Sequence, residues 1–263
     1  MSARPYVTSD LLLHLRGRLD DHDLAVLMDV RAMRLAQATD LEALQQLRSP
    51  LSTRQFRRRL AQLTDERLLF RLDRQVGGKR AGSAGYVYGL GSIGGRLLAS
   101  DGQRLRPWTP RPSWLDHALA VSRLYVGLRQ QEQARAMKLL DYQAEPACWR
   151  PFSDLGTFVT LKPDAFVRWE NEVAVMSYFI EVDRGTESPA TLMRKLDTFL
   201  RYFLSGQEQQ RTGVFPLVVW LVPDEARARL LRRLIARQPD AGNELHTVAR
   251  YDQAGDVLAR EPP

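Results

Sequence analysis

The chain has 263 residues, 44% hydrophobic and 26% charged, a composition that leaves room for two cores and excludes a disordered chain. Its single cysteine excludes an internal disulfide framework. With no apolar run of membrane-span length and no signal-peptide core in MSARPYVTSD, the expectation is a cytoplasmic protein with no membrane partner. The net charge of +7 lies in the front of the chain: 19 Lys plus Arg against 11 Asp plus Glu through Ser113, then 19 against 20, so a polyanion is the expected partner of the front half.

In chain order, Leu24, Leu27, Met28 and Leu35 recur at helical spacing and predict a helix over Asp20–Leu35. Thr39-Asp40 opens a short second helix, LEALQQL. Ser52, with Gln55 three residues later, has the capping-box spacing and opens a third. In that helix Phe56, Leu60 and Leu63 share one face, while Arg54, Gln55, Arg58 and Gln62 share the other, with Arg57 beside them. LLFRLDR (68–74) and GYVYGL (85–90) are rich in strand formers and are joined by the basic loop QVGGKRAGSA. This pattern predicts a winged helix-turn-helix over residues 1–103 that binds double-stranded DNA. Arg54, Gln55, Arg57, Arg58 and Gln62 would reach base edges or phosphates, and Lys79 and Arg80 of the wing the backbone or minor groove. The plainer alternatives are a solvated basic face or a protein-docking module.

Three prolines between residues 107 and 112 predict an extended linker over 104–113. Beyond it, Trp114–Gln131 has a helical stripe of His117, Val121, Leu124 and Leu128. Strands are expected at 158–169 and 173–182. A helix follows over 190–204 with Leu192, Leu196, Phe199 and Phe203 on one face. The apolar run VFPLVVWLVP (214–223) reads as a strand buried on both sides, before a helix at 224–238 and a strand at 244–251. Helices among mixed strands predict an α/β domain over 114–263, so the fold class is α/β overall.

Asp164, Glu181 and Asp183 fall near the ends of two neighbouring strand candidates, and 181 and 183 point to one side because side chains alternate along a strand. Three carboxylates converging at a sheet edge need a cation, and Mg²⁺ or Mn²⁺ suits oxygen ligands, which makes these three residues candidate metal ligands. Each has a structural reading too: Asp164 as a turn residue after proline, Glu181 and Asp183 in an ion-pair network with Arg184. His117 reads as a satisfied core histidine and Cys148 as packing beside Trp149.

The segments KPDA (162–165), FIEVDRGTE (179–187) and MRKL (193–196) resemble the replication-relaxation family of plasmids and integrative elements. YGLGSIGGRLL (88–98) and the helix carrying His117 extend that likeness over most of residues 20–225. The resemblance implies a role in replication, mobilisation or transposition of a mobile element, with protein partners in its complex. It also implies a C-terminal domain similar to the PD-(D/E)XK nucleases, with Asp164 and Glu181 at the motif positions. The lysine two residues beyond the glutamate is replaced by Asp183, and Lys195 of the following helix is the candidate substitute. The first reading is a DNA-binding factor whose back domain is an inactive platform for DNA or protein. The alternatives are a Mg²⁺- or Mn²⁺-dependent endonuclease with E-x-D in place of E-x-K, whose candidate catalytic residues are Asp164, Glu181, Asp183 and Lys195, and a transcriptional regulator whose back domain forms a homodimer.

Overall fold

The computed structural model describes residues 8–49, 51–72, 85–99, 110–134, 137–154 and 156–258. It divides into two compact units, Met1–Val126 and Gly127–Pro263.

Unit 1 runs α1 (Ser9–Arg18), α2 (Asp21–Met33), β1 (Leu35–Gln37), α3 (Ala38–Arg48), α4 (Thr53–Asp65), β2 (Leu69–Leu72), β3 (Val87–Leu90), α5 (Ser92–Leu97) and the start of α6 (Pro112–Ala134). Helix α2 begins with a capping box between Asp20 and Asp23 and ends two residues short of the predicted Leu35. Arg34 takes a positive φ of 65°, which turns the chain out of the helix and sends Leu35 into β1. The capping box expected at Ser52 and Gln55 forms, and Phe56, Leu60 and Leu63 of α4 are buried. β3 pairs antiparallel with both β1 and β2, in the order β1-β3-β2.

The glycines of YGLGSIGGRLL have a steric reason. A Cβ on Gly91 would stand 2.1 Å from the Arg67 carbonyl oxygen, and one on Gly94 2.0 Å from that of Leu68, so α5 closes onto the entry to β2 only with bare backbone. The first part of α6 packs in the same unit. Leu115, Ala118 and Leu119 join Leu35 and Val87 in one core, and buried Ser122 sets its hydroxyl on the Leu35 carbonyl at 2.5 Å. Thus α6 starts inside the expected linker, and the division falls within it at Val126, not before Trp114. Residues 104–109 of that linker lie outside the described residues.

Unit 2 continues with the end of α6, then β4 (Lys138–Ala144), β5 (Arg150–Asp154), β6 (Thr157–Leu161), β7 (Ala165–Glu170), β8 (Val175–Val182), α7 (Pro189–Leu204), α8 (Gln207–Thr212), β9 (Leu217–Val222), α9 (Glu225–Ile235), α10 (Asp240–Asn243), β10 (His246–Arg250) and α11 (Ala254–Leu258). Among the described residues the main sheet has five strands in the order β10-β9-β8-β7-β4, antiparallel on the β4 side and parallel from β8 to β10. Two successive parallel steps in one direction put both crossover helices on one face when each crossover is right-handed. Leu192, Leu196 and Phe199 of α7 and Ala228, Leu231 and Leu234 of α9 duly share one core with Phe179 and Trp220. On the opposite face Tyr178 donates to the Leu258 carbonyl of α11 at 3.3 Å.

Two elements of unit 2 differ from what the sequence pattern predicts. The single strand predicted over 158–169 is two strands: β6 pairs with β5 as a separate hairpin, and only β7 enters the main sheet. Pro163 lies at the break, where it has no N–H to offer a ladder. On α7 the last buried place belongs to Tyr202, while Phe203 is half-buried against the Phe215 ring at 5.3 Å.

Candidate functional site

The β8 end of unit 2 holds the three candidate carboxylates, with Lys195 on the helix that follows. Asp164, in the turn between β6 and β7, is buried and accepts the Val182 N–H at 2.6 Å, which fixes its carboxylate across the end of β8. Glu181 is 2% exposed and faces α7, where the Lys195 ammonium donates to its Oε2 at 2.8 Å. Lys195 also meets Glu187 at 3.0 Å. Burial pushes the Glu181 carboxyl well above the usual carboxylate range, and the Lys195 ammonium opposes that shift. Lys195 is itself raised despite burial, because losing its proton would leave Glu181 without a counter-charge.

Asp183 follows Glu181 on the same side of the sheet but meets a different cation. Arg227 of α9 holds it through two hydrogen bonds, at 2.5 and 3.0 Å, and reaches on to the Glu187 carbonyl at 2.9 Å. The Gly185 N–H occupies Asp183 Oδ1 as well, at 2.8 Å. Among the described residues no three His, Cys, Asp or Glu side chains come together as a metal-holding group. The expected three-carboxylate set therefore does not assemble: Asp183 is committed to a guanidinium, and Glu181 to an ammonium. Asp164 and Glu181 both lie within electrostatic reach of Lys195, while Asp183 is bound by Arg227.

A cleft of about 310 Å³ opens beside this pair. Thr160, Lys162, Thr191, Arg194 and Thr198 wall it, with Glu181 and Lys195 at its inner end. Lys162 lies 4.8 Å over the Trp149 ring, and Arg194 is steadied by Thr191 Oγ1 at 3.1 Å. Among the described residues neither pairs with a carboxylate.

In unit 1 the arginines of α4 separate into two kinds. Arg57 binds Glu42 of α3 at 2.6 Å, and Arg59 reaches back to Asp20 and, at 2.5 Å, to Asp23. These two clamp α4 to its neighbours. Arg54 and Arg58, one helical turn apart and exposed, have no such partner among the described residues. Gln62 continues their face and lies on a shallow hollow of about 180 Å³ with Gln55, Arg58 and Arg59. Gln55 spends its carbonyl on the Ser52 cap at 3.1 Å, so only its amide N–H₂ faces outward as a donor. Lys79 and Arg80 lie outside the described residues.

Other residues marked in the sequence belong elsewhere. His117 stacks edge-on with Trp114 at 5.2 Å. Cys148 is fully buried, its thiol on the Pro163 carbonyl at 2.9 Å, and burial raises its pKa out of the reactive range. Sequence reasoning missed Arg227, because nothing in EARARLL marks one arginine as the partner of a carboxylate 44 residues away. It also missed Glu187, although the residue stands in FIEVDRGTE, and the wholly buried Glu208, which binds Tyr202 and Arg211. Among the described residues no helix is long and apolar enough to cross a membrane.

Taken together, the units make a mixed α/β protein, with a helical front carrying a basic helix face and a five-stranded back unit carrying a buried acid–lysine pair at a cleft. A family model described as replication-relaxation matches residues 24–218, and the chain belongs to that family. No curated protein and no solved structure matches.

Proposed function

We propose that this chain is a DNA-binding protein of a plasmid or other mobile element, acting in its replication or mobilisation. Unit 1 is a winged helix-turn-helix: α2, β1, α3 and α4 followed by the β2–β3 ribbon, with α4 lying in the major groove. Unit 2 is a PD-(D/E)XK-like domain in which Lys195 stands in for the strand lysine. The observation that carries the reading is the division of labour on α4. A helix that needed arginine only for packing would pair all four; here Arg57 and Arg59 are paired, while Arg54 and Arg58, on one exposed face, have no carboxylate partner among the described residues. Free guanidiniums one turn apart suit guanine edges and phosphates. Family membership supports the replication or mobile-element context.

Unit 2 acts in this reading as a nuclease-like platform, since the carboxylates are engaged by Lys195 and Arg227. An active endonuclease is the second reading, favoured by Asp164, Glu181 and Lys195 standing together at a cleft. The experiment incubates the protein with supercoiled and linear DNA, with Mg²⁺, with Mn²⁺ and with chelator, beside Asp164→Ala and the double variant Arg54→Glu/Arg58→Glu. DNA retention without nicking, lost in the double variant and kept in Asp164→Ala, is the expected result. Metal-dependent nicking lost in Asp164→Ala would establish the second reading, and retention by the double variant would refute the role of α4.

A further inference from the structure

We propose that the cleft of unit 2 takes an unpaired DNA strand, one base stacking on Phe158 and the neighbouring phosphates lying against Lys162 and Arg194; this rests on the reading of the chain as a DNA-binding protein. Phe158 is 89% exposed, an unusual place for a phenyl ring. Single exposed apolar residues are common and mean nothing alone, so the inference depends on where this one stands. Side chains alternate along β6. Val159 and Leu161 point into the unit 2 core, which leaves Phe158 and Thr160 together on the outer face. Thr160 is part of the cleft wall, so the ring extends that wall outward toward the hairpin tip.

The hairpin is braced, so the ring is presented by a fixed platform. Arg201 of α7 binds Asp154 at 2.5 Å, and Gln207 donates to the Ser153 carbonyl at 3.0 Å, both on β5 next to the turn. Across the cleft α7 presents Arg194, and the turn after β6 presents Lys162; neither pairs with a carboxylate among the described residues. A ring for stacking beside two cations is the pairing that single strands use, because every base has a π face and every nucleotide a phosphate. At about 310 Å³ the cleft matches the small end of ligand pockets, a size that suits a single nucleotide. The inward Glu181–Lys195 pair would face the sugar-phosphate there.

The test uses the full chain carrying Arg54→Glu/Arg58→Glu, so that duplex binding through unit 1 is disabled, and a fluorescein-labelled oligothymidylate read by anisotropy across a salt series. Phe158→Ala is expected to weaken binding about ten-fold, and Phe158→Trp to restore it. Lys162→Ala and Arg194→Ala should each lower the salt slope by about 0.7. Phe158 is so exposed that its alanine variant leaves the core untouched. In the otherwise unaltered chain, Phe158→Ala should leave blunt-duplex affinity unchanged. Equal oligothymidylate affinity in Phe158→Ala, or a salt slope indifferent to Lys162 and Arg194, overturns the proposal. Single-strand binding that depends on Phe158, in a chain whose duplex binding ignores Arg54 and Arg58, would refute the winged-helix reading and leave this one standing.

Discussion

Replacing Lys195 by methionine keeps the aliphatic stem of the side chain and removes only the ammonium. Glu181, 2% exposed, then loses its 2.8 Å partner, and Glu187 loses its 3.0 Å contact with the same nitrogen. Breaking a buried pair from one side costs about 3–5 kcal/mol. Here Glu181 can take up a proton instead, and the lysine side chain is 31% exposed, so about 3 kcal/mol at pH 8 is the expected loss. For a protein of this size that is a drop of roughly 10 °C in Tm. The converse change, Glu181→Gln, removes the buried charge itself and leaves Lys195 on Glu187, so it should cost no more than about 1 kcal/mol.

The pH dependence has a definite sign. A carboxyl raised in the fold from 4.5 to about 8 contributes stability that is whole below 4.5 and is lost as the pH rises through its folded pKa. Without the ammonium the shift grows, so Lys195→Met should lie closer to the unaltered protein at pH 5.5 than at pH 8. Thermal melts of both variants at the two pH values check this. A Glu181→Gln as damaging as Lys195→Met, or a Lys195→Met deficit independent of pH, would refute the reasoning.

Three further outcomes follow from the packing. His246 accepts a hydrogen bond from Trp220 Nε1 at 3.1 Å through Nδ1, and burial holds its pKa down to about 4; stability should fall by roughly 3 kcal/mol as the pH drops from 6.5 to 4, and urea titrations of His246→Phe should lose that slope. Glu208→Ala leaves the Tyr202 hydroxyl and the Arg150 guanidinium, which stands 3.6 Å from Glu208 over the Phe166 ring, without their buried carboxylate, and should cost about 3 kcal/mol in a denaturant series. Gly94→Ala should destabilise unit 1 by more than about 2 kcal/mol through its clash with the Leu68 carbonyl, whereas Gly127→Ala, with open space around it in α6, should stabilise by about 0.5–1 kcal/mol; differential scanning calorimetry gives both signs.

What the sequence disclosed, and what it withheld, follows from the range of each interaction. The α4 cap and stripe are local, three to four residues apart, and could be read directly from Ser52, Gln55, Phe56 and Leu60. The apolar run of β9 was equally plain, because a strand covered on both faces needs no alternation. The spacing of Leu35 fits α2, while the reversal at Arg34 is a backbone conformation that composition does not signal. β4 carries no clear strand pattern in its sequence, because KLLDYQA forms an edge strand with mixed burial and a bulge after Leu139. At the candidate site Asp164 and Glu181 could be placed by their motif spacing, and Lys195 only as a candidate substitute on the helix that follows. The commitment of Asp183 to Arg227 could not, since it depends on α9 folding back across the end of β8.

The most direct test of the central claim is the salt dependence of duplex DNA binding for the unaltered chain and for Arg54→Ala/Arg58→Ala. If α4 lies on the duplex with both guanidiniums at phosphates, the slope of log affinity against log salt should fall by about 1.8 in the double variant. An unchanged slope and affinity would mean that the free face of α4 is only solvated surface, and that unit 1 is not held to DNA by it.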